Sequence, residues 1–97
     1  MASFVLLIDW TEQGVGTFKD SVYRYEAAES QFKQMGVRFR DIYWTLGSHD
    51  IVSIVDAPDS ETLAAALLRL ASQGNLRTTT LRAFSAEEMR GVIAKAG

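Results

Sequence analysis

A hairpin framed on each side by a strand and a helix is the feature that most restricts how this chain can fold. Arg38 to Leu46 alternates, with Ile42, Trp44 and Leu46 on one side and Tyr43 and Thr45 on the other, the period of a half-buried strand. Gly47-Ser48-His49-Asp50 supplies turn residues and Ile51-Val52-Ser53-Ile54-Val55 resumes an apolar run, so the two strands pair antiparallel. Ahead of them, Phe4-Val5-Leu6-Leu7-Ile8 is a short, branched, apolar run ended by Asp9, which reads as a buried strand. From Thr17 to Met35, the residues Phe18, Val22, Tyr25, Phe32 and Met35 recur at helical spacing, and Gly36 is placed to stop that helix in a left-handed conformation. Beyond the hairpin, Pro58 closes the strand, and Asp59 caps a helix that places Leu63, Leu67, Leu70 and Ala71 on one face and ends at Gly74. Asn75 to Phe84 is strand-like. Ser85-Ala86-Glu87-Glu88 has capping-box spacing ahead of a short helix with Met89, Val92 and Ile93.

The order β-α-β-β-α-β-α predicts an α+β chain of the ferredoxin-like, split βαβ type. Right-handed crossovers give a four-stranded antiparallel sheet of order 4-1-3-2 with both main helices on one face. The opposite face is then bare. Yet Phe4, Leu6 and Ile8 alternate with Val5 and Leu7, and Val52 and Ile54 oppose Ile51 and Val55, so neither side of these strands is polar. A second copy packed sheet on sheet is the simplest cover, and a standard interface of roughly 1,600 Å² in total is within reach of two such sheets. The alternative cover is the C-terminal helix folded under its own sheet.

Ninety-seven residues suit one domain, 1–97. A net charge of −2 and ten Lys and Arg spread along the chain provide no field for phosphate backbones, so nucleic acid is not an expected partner. No run approaches the roughly 18 apolar residues needed to span a bilayer, and Met1-Ala2-Ser3 enters the first strand without a basic leader, so a cytoplasmic protein without a membrane is expected. The absence of cysteine removes thiolate chemistry. One histidine with scattered carboxylates does not make a metal set. Gly14-Val15-Gly16 lacks the third glycine and the βαβ setting of a dinucleotide loop and reads as a flexible turn. No nucleophile elbow surrounds any serine. Neither metal nor cofactor is expected.

Three blocks, Asp41-Ile42-Tyr43-Trp44-Thr45-Leu46-Gly47, Asp50-Ile51-Val52 and Gly74 to Phe84, together with Leu7-Ile8-Asp9-Trp10-Thr11-Glu12-Gln13-Gly14, resemble the GYD-domain family over nearly the whole chain. The resemblance implies the dimeric α+β barrel fold and a homodimer or higher homo-oligomer, and it carries no defined activity. The family's Gly-Tyr-Asp signature here reads Gly47-Ser48-His49-Asp50, so an imidazole stands where the phenol would be.

The split βαβ topology brings the end of the first strand, the hairpin turn and the start of the fourth strand to one sheet edge. Asp9, Trp10, His49, Asp50 and Arg77 therefore gather there. They are the candidate ligand-binding residues, with His49 and Asp50 the best candidates for moving a proton. Against this, Asp50 bonding its own hairpin, Asp9 capping the following turn and Arg77 pairing across strands would serve structure alone. Three functional readings follow: a small-molecule binding or sensing module, a cofactor-free enzyme like the monooxygenases and isomerases built on the same barrel, and a purely structural or assembly protein. Catalysis is the less favoured of the first two.

Overall fold

A computed structural model describes residues 1–97. Its elements are β1 (Ala2–Trp10), α1 (Glu12–Gly16), a 3-10 turn (Phe18–Asp20), α2 (Ser21–Gln34), β2 (Arg38–Trp44), β3 (Ile51–Ala57), α3 (Ser60–Ala71), β4 (Leu76–Ala83) and α4 (Ala86–Ala96). All neighbouring strands are antiparallel, in the order β2-β3-β1-β4. This is the expected 4-1-3-2 order read from the other edge. No helix is long and apolar enough to cross a membrane.

The core lies between one face of the sheet and helices α2 and α3. Phe4, Leu6 and Ile8 of β1 and Ile51, Val55 and Ala57 of β3 are buried with Ala28 and Phe32 of α2 and Leu63, Ala66 and Leu70 of α3. Because side chains alternate along a strand, Val5, Leu7, Val52 and Ile54 point to the other face. There they are only half-buried, and Tyr43 and Leu81 beside them are 62% and 46% exposed. A helix-free, largely apolar sheet face is therefore present in the single chain.

Helix α2 differs from the reading of its sequence. Its buried face is Ser21, Ala28 and Phe32 with Tyr25 half-buried, whereas Phe18 and Val22 are each 57% exposed. The 3-10 turn at Phe18–Asp20 has three residues per turn rather than 3.6, and it breaks the phase that the sequence pattern implies is continuous. On α3 the innermost positions are Leu63, Ala66 and Leu70, with Leu67 half-buried and Ala71 exposed. Strand β2 departs from simple alternation as well. A bulge between Phe39 and Asp41 inserts Arg40, so both Phe39 and Ile42 reach the core side. Phe39 stacks on Phe32 with centroids 5.0 Å apart and meets Tyr25 edge-on at 5.5 Å. Ser53, buried opposite, donates to Asp41 O at 2.8 Å and satisfies the ladder where the bulge disturbs it. Leu46, assigned by alternation to the same side as Trp44, lies beyond the end of β2 and is fully exposed.

The helix starts follow the caps. Asp59 Oδ1 accepts from Thr62 N–H at 2.7 Å, and Ser85 and Glu88 form a reciprocal capping box. Those backbone hydrogen bonds hold both carboxyls below their ordinary range. Gly36 and Gly74 take φ of 81° and 84°, which only glycine adopts without strain, and so end their segments where the sequence placed the stops.

Candidate functional site

The edge of the sheet where β1 ends, the β2–β3 hairpin turns and β4 begins is held by hydrogen bonds across the strands. His49 Nδ1–H donates to Asp9 Oδ1 at 3.2 Å, since a carboxylate only accepts. Both side chains are about one-third exposed or less, at 34% and 28%. Asp50 Oδ2 accepts the Trp10 backbone N–H at 2.9 Å, and Asp50 N–H donates to Ile8 O at 3.0 Å. Thr45 closes the hairpin, its N–H donating to Asp50 O and its hydroxyl to His49 O. The acid at position 50 therefore ties the hairpin to β1, and the acid at position 9 pairs with the imidazole instead of capping the next turn. Thr11 takes that capping role, its Oγ1 accepting from Gly14 N–H.

Asp9, His49 and Asp50 thus come together, while Trp10 and Arg77 do so only in part. Arg77 is the register partner of Asp9 across β1 and β4, but the Asp9 carboxylate takes its hydrogen bond from His49. Trp10 follows Phe4, Leu6 and Ile8 on the helix side of β1 and packs against the core, where its Nε1 is buried without a hydrogen-bond partner. The indole and the Asp9 carboxylate consequently point to opposite faces of the sheet. Adjacent positions on a strand must do so, and that rule is available from sequence.

A small cleft that the sequence does not announce opens between α2, α3 and the sheet, with a volume of about 40 Å³. Its floor is apolar, formed by Ile8, Ala28, Phe39, Ile42 and Leu76 among others, and none of Asp9, Trp10, His49, Asp50 or Arg77 lines it. The polar groups at its rim are already engaged. Ser21 Oγ accepts from Trp44 Nε1–H at 2.8 Å, Arg24 donates to Thr17 and to Gly14 O, and Asn75 Oδ1 accepts from Gln13. Burial and the hydrogen bond to Glu29 push the Tyr25 phenol up to about 12, so it stays neutral and keeps donating to Glu29 across the physiological range. The cleft thus offers apolar surface and no uncommitted charge.

Taken together, the strand order and the placement of the helices define an α+β protein built on a four-stranded antiparallel sheet, with one edge closed by an Asp–His pair. The chain belongs to the GYD family: residues 4–93 match the family model described as the GYD domain. A relative from Thermus thermophilus, named glutamine synthetase and cystathionine beta-lyase binding protein, is 33% identical over 90 residues, covering 92% of this chain and 95% of the relative. The crystal structure of TTHA0845 from the same organism superposes with a TM-score of 0.57 at 24% identity over 89% of this chain and 96% of that one, a likeness of fold.

Proposed function

We propose that this chain is a cytoplasmic homo-oligomeric binding module: two copies join through their helix-free sheet faces, as in a dimeric α+β barrel of ferredoxin-like subunits, and the assembly engages another protein. The observation that carries the reading is the apolar row Val5, Leu7, Val52 and Ile54, flanked by Tyr43 and Leu81, on a face that no helix covers. Soluble monomers seldom leave a contiguous apolar patch of this kind in water. The relative's name supplies the class of partner, and the reading extends it to this chain: glutamine synthetase or cystathionine beta-lyase. Sedimentation of the purified chain with each enzyme in turn is expected to give a complex at micromolar concentration. Independent sedimentation with both enzymes at 100-fold higher concentration would remove the partner assignment.

A second reading is favoured by the Asp9–His49 contact. A carboxylate on Nδ1 fixes the imidazole tautomer and leaves Nε2 as an acceptor, the arrangement of a ligand-orienting or proton-handling histidine. In this reading the edge binds a small molecule through Asp9, His49, Arg77 and the neighbouring Trp10 and Asp50, without a cofactor, for sensing or for cofactor-free turnover. Asp50 is committed to the Trp10 N–H, so His49 is the stronger candidate for chemistry. A metabolite at a hundred times its Kd is expected to stabilise the native chain by about 2.7 kcal/mol. In a thermal-shift screen His49→Ala should abolish that gain. A hit that shifts both forms equally would place the ligand elsewhere, the apolar cleft being the first alternative.

A further inference from the structure

Helix α4 is the one α-helix without a buried residue. Its 11 residues are all exposed, and the apolar stripe Met89, Val92 and Ile93, at i, i+3 and i+4, looks onto solvent at 44%, 39% and 58% exposure. Only the first turn is tied back. Arg82 lies over the Phe84 ring at 4.5 Å and its guanidinium stands 3.8 Å from Glu88, which fixes the direction in which the helix leaves β4. The result is an elongated subunit of 50 × 31 × 18 Å. Its radius of gyration of 14.5 Å exceeds the roughly 12.5 Å of a compact chain of this length.

A helix this short is marginal in water unless something packs on it. The capping box at Ser85 favours α4, but Gly91 in its interior opposes it by a comparable amount. Packing must therefore supply the remainder, and the chain's own sheet does not provide it. Area identifies the source. Four strands of about eight residues present a footprint of roughly 500 Å², whereas a stable interface buries about 800 Å² per partner. A helix of this length covers roughly 160 Å², so a copy that both gives and receives one gains roughly 320 Å² and reaches the stable range. The helix follows directly from β4, an edge strand of the same free sheet.

We propose that α4 is an exchanged arm: its Met89–Val92–Ile93 stripe docks on the second copy of the chain and completes the interface begun by the helix-free sheet face. The inference rests on the sheet-face reading given above and adds to it a reciprocal arm, so that each subunit both gives and receives one helix. It assigns a role to the capping box, which preforms the arm before docking and lowers the ordering cost of association.

The test is sedimentation equilibrium of the full chain, the double variant Val92→Glu/Ile93→Glu, and Leu7→Arg. The arm variant changes only exposed positions, so its fold is expected to be kept. Its dimer dissociation constant should rise at least tenfold over the native chain. If the arm variant associates like the native chain while Leu7→Arg dissociates, the arm is overturned and the sheet-face reading stands. A native chain that is monomeric throughout overturns both. A second measurement does not depend on the double variant folding. Because the chain has no cysteine, Val92→Cys carries a unique thiol for a photo-crosslinker, and the expected product is a covalent dimer in dilute solution. Adducts confined to single chains would contradict the exchanged arm.

Discussion

Replacing Gly14 by Ala is expected to cost about 3 kcal/mol of unfolding free energy, the upper range for forcing extra volume into a packed site. For a domain of this size that lowers the melting temperature by more than about 10 °C. The reason is a close approach of two backbones. A Cβ on Gly14 would sit 2.0 Å from Asn75 O and 2.9 Å from Asn75 C. Neither group can retreat. Asn75 O accepts Thr11 N–H at 3.0 Å, the Thr11 hydroxyl donates to Gly74 O, and Gln13 Nε2 donates to Gln73 O and Asn75 Oδ1. Helix α1 is thereby stitched to the turn between α3 and β4, and an added methyl would have to break those bonds to fit. Gly16→Ala is the control, because a Cβ there meets nothing within 4 Å. Its stability should stay within about 0.5 kcal/mol of the native chain. Equal denaturant midpoints for Gly14→Ala and Gly16→Ala would refute the close-approach account.

Leu7→Arg is expected to raise the dissociation constant of the oligomer by more than about a thousandfold, leaving a folded monomer. Leu7 lies on the central strand of the free face, between its register partners Val52 and Thr79. In a single chain the new guanidinium can extend into water. Between two sheets it is buried without a partner, at a cost of about 3–5 kcal/mol, and two-fold symmetry introduces it twice. Circular dichroism should be unchanged while sedimentation reports loss of the assembly. Retention of the assembly by Leu7→Arg would place the subunit contact away from this face.

How much is legible in the sequence depends on the range of the interaction. The hairpin, the strand order and the bare apolar face follow from local alternation and from the handedness of crossovers, both of which are short-range rules. Family membership follows from the blocks around Asp41, Asp50 and Gly74, and residues 4–93 match that family's model. The phase of α2 is not legible because the 3-10 turn at Phe18–Asp20 has no period of its own, and Ser21 is buried for a reason only the fold supplies, the indole N–H of Trp44. Arg40 illustrates the same point for strands. One extra residue moves Phe39 onto the core side, and nothing in Arg38-Phe39-Arg40-Asp41 marks where the bulge falls. Gly14-Val15-Gly16 reads as a flexible turn, whereas it forms the end of α1, and Gly14 is required by a carbonyl far away in sequence, at Asn75.

At the candidate site, topology alone gathers Asp9, His49 and Asp50, and the structure joins Asp9 to His49 and Asp50 to β1. What topology does not convey is which acid the imidazole chooses. That depends on side-chain directions, with Asp9 on the free face of β1 and Asp50 turned back to the Trp10 N–H. The engaged polar rim of the cleft beneath α2 is likewise invisible, because its hydrogen bonds join elements distant in sequence.

Sedimentation equilibrium of the unmodified chain from micromolar concentration upward bears most directly on the central claim that the helix-free face is covered by a second copy. A mass of at least twice the 10.7 kDa of one chain is the predicted result, falling toward a single chain only on dilution. A particle of one chain's mass across the whole range would show that water alone covers Val5, Leu7, Val52 and Ile54, and would contradict it.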